Sequence, residues 1–108
     1  MKTLTNVLID EFNSHEIHLT FDLDDVEHFA TLSIGNHTLE MIDESFAHEF
    51  GVEKGFGYEF DATLYLTYLE DSEGVETTLD EYVLVNLKKA VLEEMQEMST
   101  QEMHEVFN

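Results

Sequence analysis

The chain has 108 residues, of which 43% are hydrophobic, and this size and composition favour a single folded domain over residues 1–108 rather than a disordered acidic tail. Asp and Glu number 25 against four lysines and no arginine, so the formal net charge of −21 disfavours direct binding to nucleic acid or anionic lipid. Without cysteine the chain has no disulfides and no thiol nucleophile. No apolar stretch resembles a signal peptide or a membrane span, so we expect a cytoplasmic protein.

The first elements predicted are a helix and a strand. Apolar residues recur at helical spacing from about Thr3 to Phe12 and predict a short amphipathic helix. From Glu16 to Leu23 apolar and polar residues alternate strictly, which is typical of a half-buried strand. The acidic stretch Asp24 to Glu27 is expected to turn the chain into a second strand, His28 to Ile34.

Gly35-Asn36 is typical of a two-residue hairpin turn and predicts a third strand from His37 to Ile42, with Ile34 opposite His37. The three strands would form an antiparallel meander. A short helix from Glu44 to Phe50 is expected next. The longest alternating stretch, Phe56 to Leu69, predicts a further strand.

The C-terminal part is predicted to be helical. A polar turn over Glu70 to Glu76 precedes Thr78 and Glu81, whose spacing is that of a capping box at the start of the longest helix. Ser99 is expected to cap a last short helix with Glu102. The predicted fold class is therefore α+β: an N-terminal helix, an antiparallel sheet of about four strands and C-terminal helices.

Catalytic, metal and cofactor sites are not supported by the sequence. His15 and His18 lie three residues apart at the start of a predicted strand, so their side chains would point to opposite faces rather than to one metal ion. The acidic runs lack the ligand spacing of a calcium-binding EF-hand loop. There is no phosphate-binding loop and no nucleophile motif, and carboxylates are too abundant to single out a catalytic pair. We expect a protein that is not an enzyme and has no cofactor.

The acidity itself is the informative feature. Three clusters lack any basic neighbour: Asp22 to Glu27, Glu70 to Glu81, and Glu93 to Glu105. A single acidic run is ordinarily a solvated face, but an ordinary surface mixes both signs, and here almost no carboxylate can find a cation. A rigid array of carboxylates can occupy a groove that binds DNA, because it attracts the same cations and accepts bidentate contacts from arginine.

In its length, lack of cysteine, scarcity of basic residues and predicted order of elements, the chain resembles the small acidic phage-type inhibitors, namely anti-CRISPR proteins that block Cas9 and anti-restriction DNA mimics. One Cas9-blocking type has a helix, an antiparallel sheet and further helices, and it sits where the PAM duplex would bind. The strand predicted from Phe56 to Leu69 departs from that plan. The carboxylates expected to bind the partner are Asp22, Asp24, Asp25, Glu27, Glu40, Glu59, Asp61, Glu70, Asp71, Glu73, Glu76, Asp80 and Glu81.

The resemblance implies a DNA-mimicking inhibitor in the cytoplasm of a bacterial host. Its partner would be a basic nucleic-acid-binding protein, with a Cas9-type nuclease favoured over a restriction enzyme, uracil-DNA glycosylase or an HU-type protein. Two alternatives stay open. The chain could be an acidic interaction module or regulator whose basic partner is unrelated to DNA, or a salt-adapted domain whose charge says nothing about its function.

Overall fold

The computed structural model describes residues 2–41 and 58–107. In these ranges the chain forms four strands and then two helices: β1 (Leu4–Phe12), β2 (Glu16–Leu23), β3 (Val26–Met41), β4 (Tyr58–Asp71), α1 (Glu81–Gln96) and α2 (Thr100–Phe107). The strands form one antiparallel sheet in the order β1-β2-β3-β4, so each strand pairs with its neighbour in the sequence. Neither described helix is long and apolar enough to cross a membrane.

Both helices pack against one face of the sheet, which we call the inner face. Alternation along β2 places four apolar side chains on this face, and residues of β3 and β4 extend the apolar surface. Helix α1 contributes a buried residue at nearly every turn, and α2 adds one more. The core includes Ile17, Leu19, Phe21, Leu32, Leu64, Val83, Leu87, Val91, Met95 and Met103. No described helix covers the opposite face of the sheet, which we call the outer face.

The helix predicted from Thr3 to Phe12 is wrong, because this stretch is strand β1. The predicted α+β order of helix, sheet and helices is corrected accordingly. The protein is mostly a four-stranded antiparallel sheet, and both helices in the described ranges follow the sheet.

Two irregularities in β1 explain the error. The pairing of β1 with β2 shifts register twice, and Asn6, at the first shift, has a positive φ of 53°. Each shift inserts an extra residue into β1 and interrupts the alternation of its side chains. The partly buried residues that pack against the core are therefore Leu4, Val7, Ile9 and Phe12. Their spacings of three, two and three residues imitate the periodicity of a helix.

The hairpin predicted at Gly35-Asn36 is also wrong, because both residues lie within the continuous strand β3. Ile34 and His37 do not pair with each other; each pairs with a residue of β4. The glycine serves a different purpose. A Cβ atom at position 35 would lie only 2.8 Å from Cε2 of Tyr65, so the tyrosine ring lies directly against the glycine backbone. Glycine is needed here for the approach of an aromatic ring rather than for a turn.

The turn that does reverse the chain is Asp24-Asp25, within the predicted acidic turn. Leu23 pairs with Val26, and the two aspartates between them have φ values of 51° and 64°. Positive φ at both central residues is the geometry of a type I′ hairpin turn. The turn is tied to the start of β1, since Thr3 N–H donates to Oδ1 of Asp24 at 2.8 Å and Asp24 N–H donates to the Thr3 carbonyl at 2.9 Å. Strand β3 consequently begins at Val26, two residues earlier than predicted.

The other sequence predictions have mixed outcomes. Strand β2 has the predicted bounds. The predicted strand from Phe56 corresponds to β4, which is described from Tyr58 and ends at Asp71. The helix predicted from Glu44 to Phe50 lies outside the described residues, as do Ile42 and Phe56.

Of the two predicted helix caps, one is wrong and one is confirmed. The N-cap of α1 is Asp80 and no side chain makes the capping hydrogen bond, so the capping box predicted from Thr78 and Glu81 is wrong. The predicted cap of α2 is confirmed, because Glu102 N–H donates to Oγ of Ser99 at 3.2 Å.

Candidate functional site

The outer face of the sheet is strongly acidic. The pairing of the four strands and the alternation of side chains place eight carboxylates on it: Glu11, Glu16, Asp22, Glu27, Glu40, Glu59, Asp61 and Glu70. The described part of this face carries no lysine, and the chain has no arginine. Lys2 precedes β1, and Lys88 and Lys89 lie on α1. Lys54 lies outside the described residues, so the described part of the outer face is acidic and has neither lysine nor arginine.

Carboxylates face each other across the strands. Asp22 is directly opposite Glu27, and Glu40 is directly opposite Glu59. Directly opposite residues have Cβ atoms only about 4.5–5.5 Å apart, and like charges at such positions destabilise a sheet. Proteins commonly place opposite charges there instead. Self-repulsion is thus built into the sheet at both pairs.

Two acidic segments that are distant in sequence meet at one end of the sheet. His28 pairs with Asp71 and Phe29 pairs with Glu70, which places the turn after β4 beside the Asp24-Asp25 turn. A backbone bridge between Glu70 and Glu76 closes this second turn. We call this the turn end of the sheet. It brings together most of the acids predicted to bind a partner: Asp22, Asp24, Asp25, Glu27, Glu70, Asp71, Glu73 and Glu76.

Some carboxylates at the turn end also hold the loops in place. Oδ1 of Asp71 accepts the N–H groups of Glu73 and Val75, at 2.9 and 3.1 Å. Oδ2 of Asp22 accepts from Nδ2 of Asn6 at 2.7 Å. These contacts engage single carboxylate oxygens and order the side chains, so the negative charges occupy defined positions.

The remaining predicted residues lie elsewhere. Glu40, Glu59 and Asp61 form the far end of the outer face, where Glu40 pairs with Glu59 and Asp61 pairs with Thr38. At the usual rise of about 3.3 Å per residue, Glu27 and Glu40 are about 40 Å apart along β3. The predicted set is therefore two acidic ends of one long face rather than a compact site.

Asp80 and Glu81 do not belong to the outer face. They occupy the N-cap and the first position of α1, the helix that packs on the inner face. A carboxylate at a helix N-terminus interacts favourably with the helix dipole, so both residues have a structural role. Their inclusion among the binding residues gains no support from their position.

The sequence reasoning missed a set of apolar side chains in the middle of the outer face. Leu8, Phe29, Tyr65 and Tyr68 are 54%, 42%, 55% and 42% exposed, far more than the core residues. They lie between the turn end and the far end, and we call them the aromatic band. One signal was present in the sequence, since Phe29 alternates with Ala30 and therefore falls on the polar side of its strand.

Hydrogen bonds connect the aromatic band to its acidic neighbours. The hydroxyl of Tyr68 donates to Oε2 of Glu70 at 2.6 Å, and this hydrogen bond is the main cause that raises the pKa of Tyr68 above its usual value. On the adjacent strands, Nε2 of His18 lies 3.0 Å from Oε1 of Glu16, and Nδ1 of His18 lies 3.3 Å from Oγ1 of Thr31. The centre of the face is therefore both aromatic and polar.

The carboxylates of the described residues do not form a metal-binding cluster. Within residues 2–41 and 58–107, no group of three or more His, Asp or Glu side chains is placed to hold a metal ion. Among the described histidines, the buried His28 is used structurally: its ring stacks on Phe21, with centroids 5.5 Å apart, and its Nδ1 lies 2.8 Å from the carbonyl of Val26. The carboxylates spread along a surface instead of converging on a point.

Comparisons of the chain with protein-family models, with curated proteins and with solved structures found no match. The resemblance to acidic phage-type inhibitors accordingly stays a prediction. The feature of the described structure that bears on function is the outer face with its negative charge.

Proposed function

We propose that the outer face binds a basic surface of another protein, and that the chain acts as a DNA-mimicking inhibitor of a nucleic-acid-binding protein. The observation that carries the proposal is the facing carboxylate pairs, Asp22 with Glu27 and Glu40 with Glu59, on a sheet face whose described part has neither lysine nor arginine. Their repulsion weakens the free protein. A partner that brings cations into the face removes this repulsion, so the arrangement favours the bound state.

The dimensions of the outer face suit a groove that binds DNA. Its two acidic ends are about 40 Å apart, which corresponds to about 12 base pairs at 3.4 Å per base pair. Proteins that grip DNA commonly make about 6–10 phosphate contacts, and the face presents eight carboxylates. The hydrogen-bonded sheet holds these groups without the freedom of a flexible acidic tail, which lowers the entropy lost on binding.

The resemblance in composition implies the kind of target. A Cas9-type nuclease is the favoured partner, in the cytoplasm of a bacterial host, and a restriction enzyme, a glycosylase or an HU-type protein are alternatives. In each case the inhibitor would enter the basic cleft in place of the nucleic acid and would perform no chemical step. It would not bind nucleic acid itself, because a net charge of −21 repels phosphates.

A competition assay tests this proposal. A fluorescent duplex containing the target site is bound to a guide-loaded Cas9-type nuclease, and its displacement is measured as the acidic protein is added at two or more salt concentrations. We expect displacement without direct binding to the duplex, and a loss of inhibition as salt rises, because the contacts are electrostatic. The assay is repeated with a restriction enzyme, a glycosylase and an HU-type protein on their own DNA. Inhibition that is insensitive to salt, or no displacement of DNA from any of these proteins, contradicts DNA mimicry.

Matched charge variants locate the surface. The first carries Glu27→Gln, Glu40→Gln and Glu59→Gln, which remove exposed carboxylates from the outer face. The control carries the same substitution at three exposed residues in the C-terminal helical part of the chain: Glu93 on α1, Glu97 at the C-cap of α1, and Glu102 on α2. Both variants change the net charge equally, from −21 to about −18. We expect the first to weaken inhibition roughly tenfold or more and the control by about twofold or less, because only the first removes direct contacts. Equal losses would show that the outer face is not the interface.

The aromatic band favours one alternative, an interaction module whose basic partner is unrelated to DNA. Exposed aromatic side chains are enriched in protein interfaces. Capture of a binding partner that DNA cannot displace from the protein would support this alternative over mimicry. A salt-adapted domain would instead require concentrated salt to fold, which melting curves at low and high ionic strength would reveal.

A further inference from the structure

At the centre of the outer face, the aromatic band adjoins Glu70, a carboxylate of the turn end. Phe29 is directly opposite Glu70, and the Tyr68 hydroxyl holds Oε2 of Glu70 at 2.6 Å. Glu70 therefore lies beside two exposed rings, and each of its carboxylate oxygens keeps a lone pair for a further donor. The Tyr65 ring lies against the backbone of Gly35 and is 55% exposed, so it presents an open surface to the solvent.

We propose that this centre makes the outer face selective for arginine over lysine, so that its occupant is an arginine-presenting surface of a protein partner; the inference rests on the proposed function. A guanidinium group is planar, stacks on aromatic rings and donates two parallel hydrogen bonds to a carboxylate. A guanidinium above Phe29 can do both at once, because Glu70 is its cross-strand neighbour. The ammonium group of lysine is a compact, strongly hydrated charge and gains less from the rings.

Exposed aromatic rings could also bind nucleic-acid bases, a second copy of the chain or a lipid surface, but the charge of the outer face disfavours all three. Nucleic-acid bases stack on aromatic rings, but the eight carboxylates around this band repel the phosphates that accompany the bases. A second copy of the chain also carries a net charge of −21 and has no arginine. An apolar lipid surface would have to cover carboxylates at both ends of the face. A cationic protein surface with planar donors complements both the charge and the rings.

Two labelled peptides of equal charge, nona-arginine and nona-lysine, test the inference with the full chain. Their dissociation constants are measured by fluorescence anisotropy at about 150 mM salt. We expect the arginine peptide to bind roughly tenfold more tightly, because stacking of two guanidinium groups adds about that much to the shared charge attraction. Substitution of the rings in one variant (Phe29→Leu, Tyr65→Leu and Tyr68→Leu) should bring the ratio close to one and leave lysine binding within about twofold of its original value.

The control is Tyr82→Leu, which removes a 60% exposed aromatic ring on α1, away from the outer face, and should leave the ratio unchanged. Circular dichroism checks that each variant is folded. If the triple variant does not fold, the single variants Phe29→Leu and Tyr65→Leu replace it, and each is expected to lower the ratio of the two affinities roughly threefold. Equal binding of both peptides, or arginine selectivity that survives loss of the rings, overturns the inference. Absence of binding by either peptide overturns the proposed function as well, so the two failures are distinguishable.

Discussion

Substitution of the Asp24-Asp25 turn tests whether the acidic turn lowers the stability of the folded protein. Both residues adopt left-handed backbone angles, with φ of 51° and 64°. This conformation costs an L-residue about 1–2 kcal/mol, somewhat less for Asp and Asn, whereas glycine adopts it freely. Asn-Gly is the preferred pair for a type I′ turn. The double substitution Asp24→Asn with Asp25→Gly should therefore stabilise the protein.

The magnitude follows from the contacts of the turn. Asparagine retains the Oδ1 atom that accepts Thr3 N–H at 2.8 Å, so the link between the turn and β1 should survive. Relief of the backbone strain at Asp25 contributes about 1 kcal/mol. Removal of two charges near Glu27 adds a smaller, salt-dependent amount. For a domain of this size, about 1 kcal/mol corresponds to a rise in the melting temperature of about 5 °C.

Urea unfolding followed by circular dichroism, at low salt and at about 0.5 M salt, separates the two contributions. The strain component should persist at high salt, because backbone conformation is not screened, whereas the charge component should shrink. Inhibition of the target should weaken at the same time, because two carboxylates of the turn end are gone. A loss of stability, or a gain that disappears at high salt, would refute the argument that the turn is strained.

Two further predictions concern the contact between α1 and β4. The Gln96 side chain donates from Nε2 to the Tyr58 carbonyl at 2.8 Å and accepts a hydrogen bond from Phe60 N–H at 2.9 Å. A glutamate at this position cannot donate at pH 7, so Gln96→Glu should lower the free energy of unfolding by about 1–3 kcal/mol. Urea unfolding of both proteins checks this, and unchanged stability contradicts it. Burial raises the pKa of the Tyr58 hydroxyl, which lies 2.5 and 2.7 Å from the carbonyls of Met95 and Met98. The stabilising contribution of this hydroxyl is thus present below the unfolded pKa near 10 and is lost as the pH rises through the folded pKa. The Tyr58→Phe variant should therefore be less stable than the original protein at pH 7, but its free energy of unfolding should fall less between pH 9 and 12. Parallel plots of unfolding free energy against pH for the two proteins would contradict this assignment.

Strands β2 and β1 show where sequence reasoning succeeds and where it fails. Strand β2 is predicted with its bounds because its pairing with β3 is regular, so every second side chain faces the core. Strand β1 is mistaken for a helix because two register shifts interrupt its alternation. Gly35-Asn36 is mistaken for a turn because the reason for the glycine, the Tyr65 ring, is thirty residues away in the sequence. Such a long-range contact leaves no local pattern.

The candidate site was likewise only partly predictable from the sequence. The acidic segments 22–27 and 70–81 are evident in the sequence, but nothing in either segment indicates that residues 70–76 lie beside residues 22–27. Their meeting depends on the register between β3 and β4. The aromatic band escaped prediction because no local pattern marks Phe29, Tyr65 and Tyr68 as neighbours, and only the register of the strands places them together on the outer face.

By itself the sequence determined the number of charges, the scarcity of cations and the apolar periodicity of β2, because these are properties of composition and of neighbouring residues. Only the tertiary structure decided which face of the sheet stays open, which carboxylates face each other, and which rings lie between them. The physical reason is that strand register and β-bulges are set by pairing between distant segments. A shift of one residue moves every side chain of a strand to the other face, so the outer face exists only once all four strands are paired.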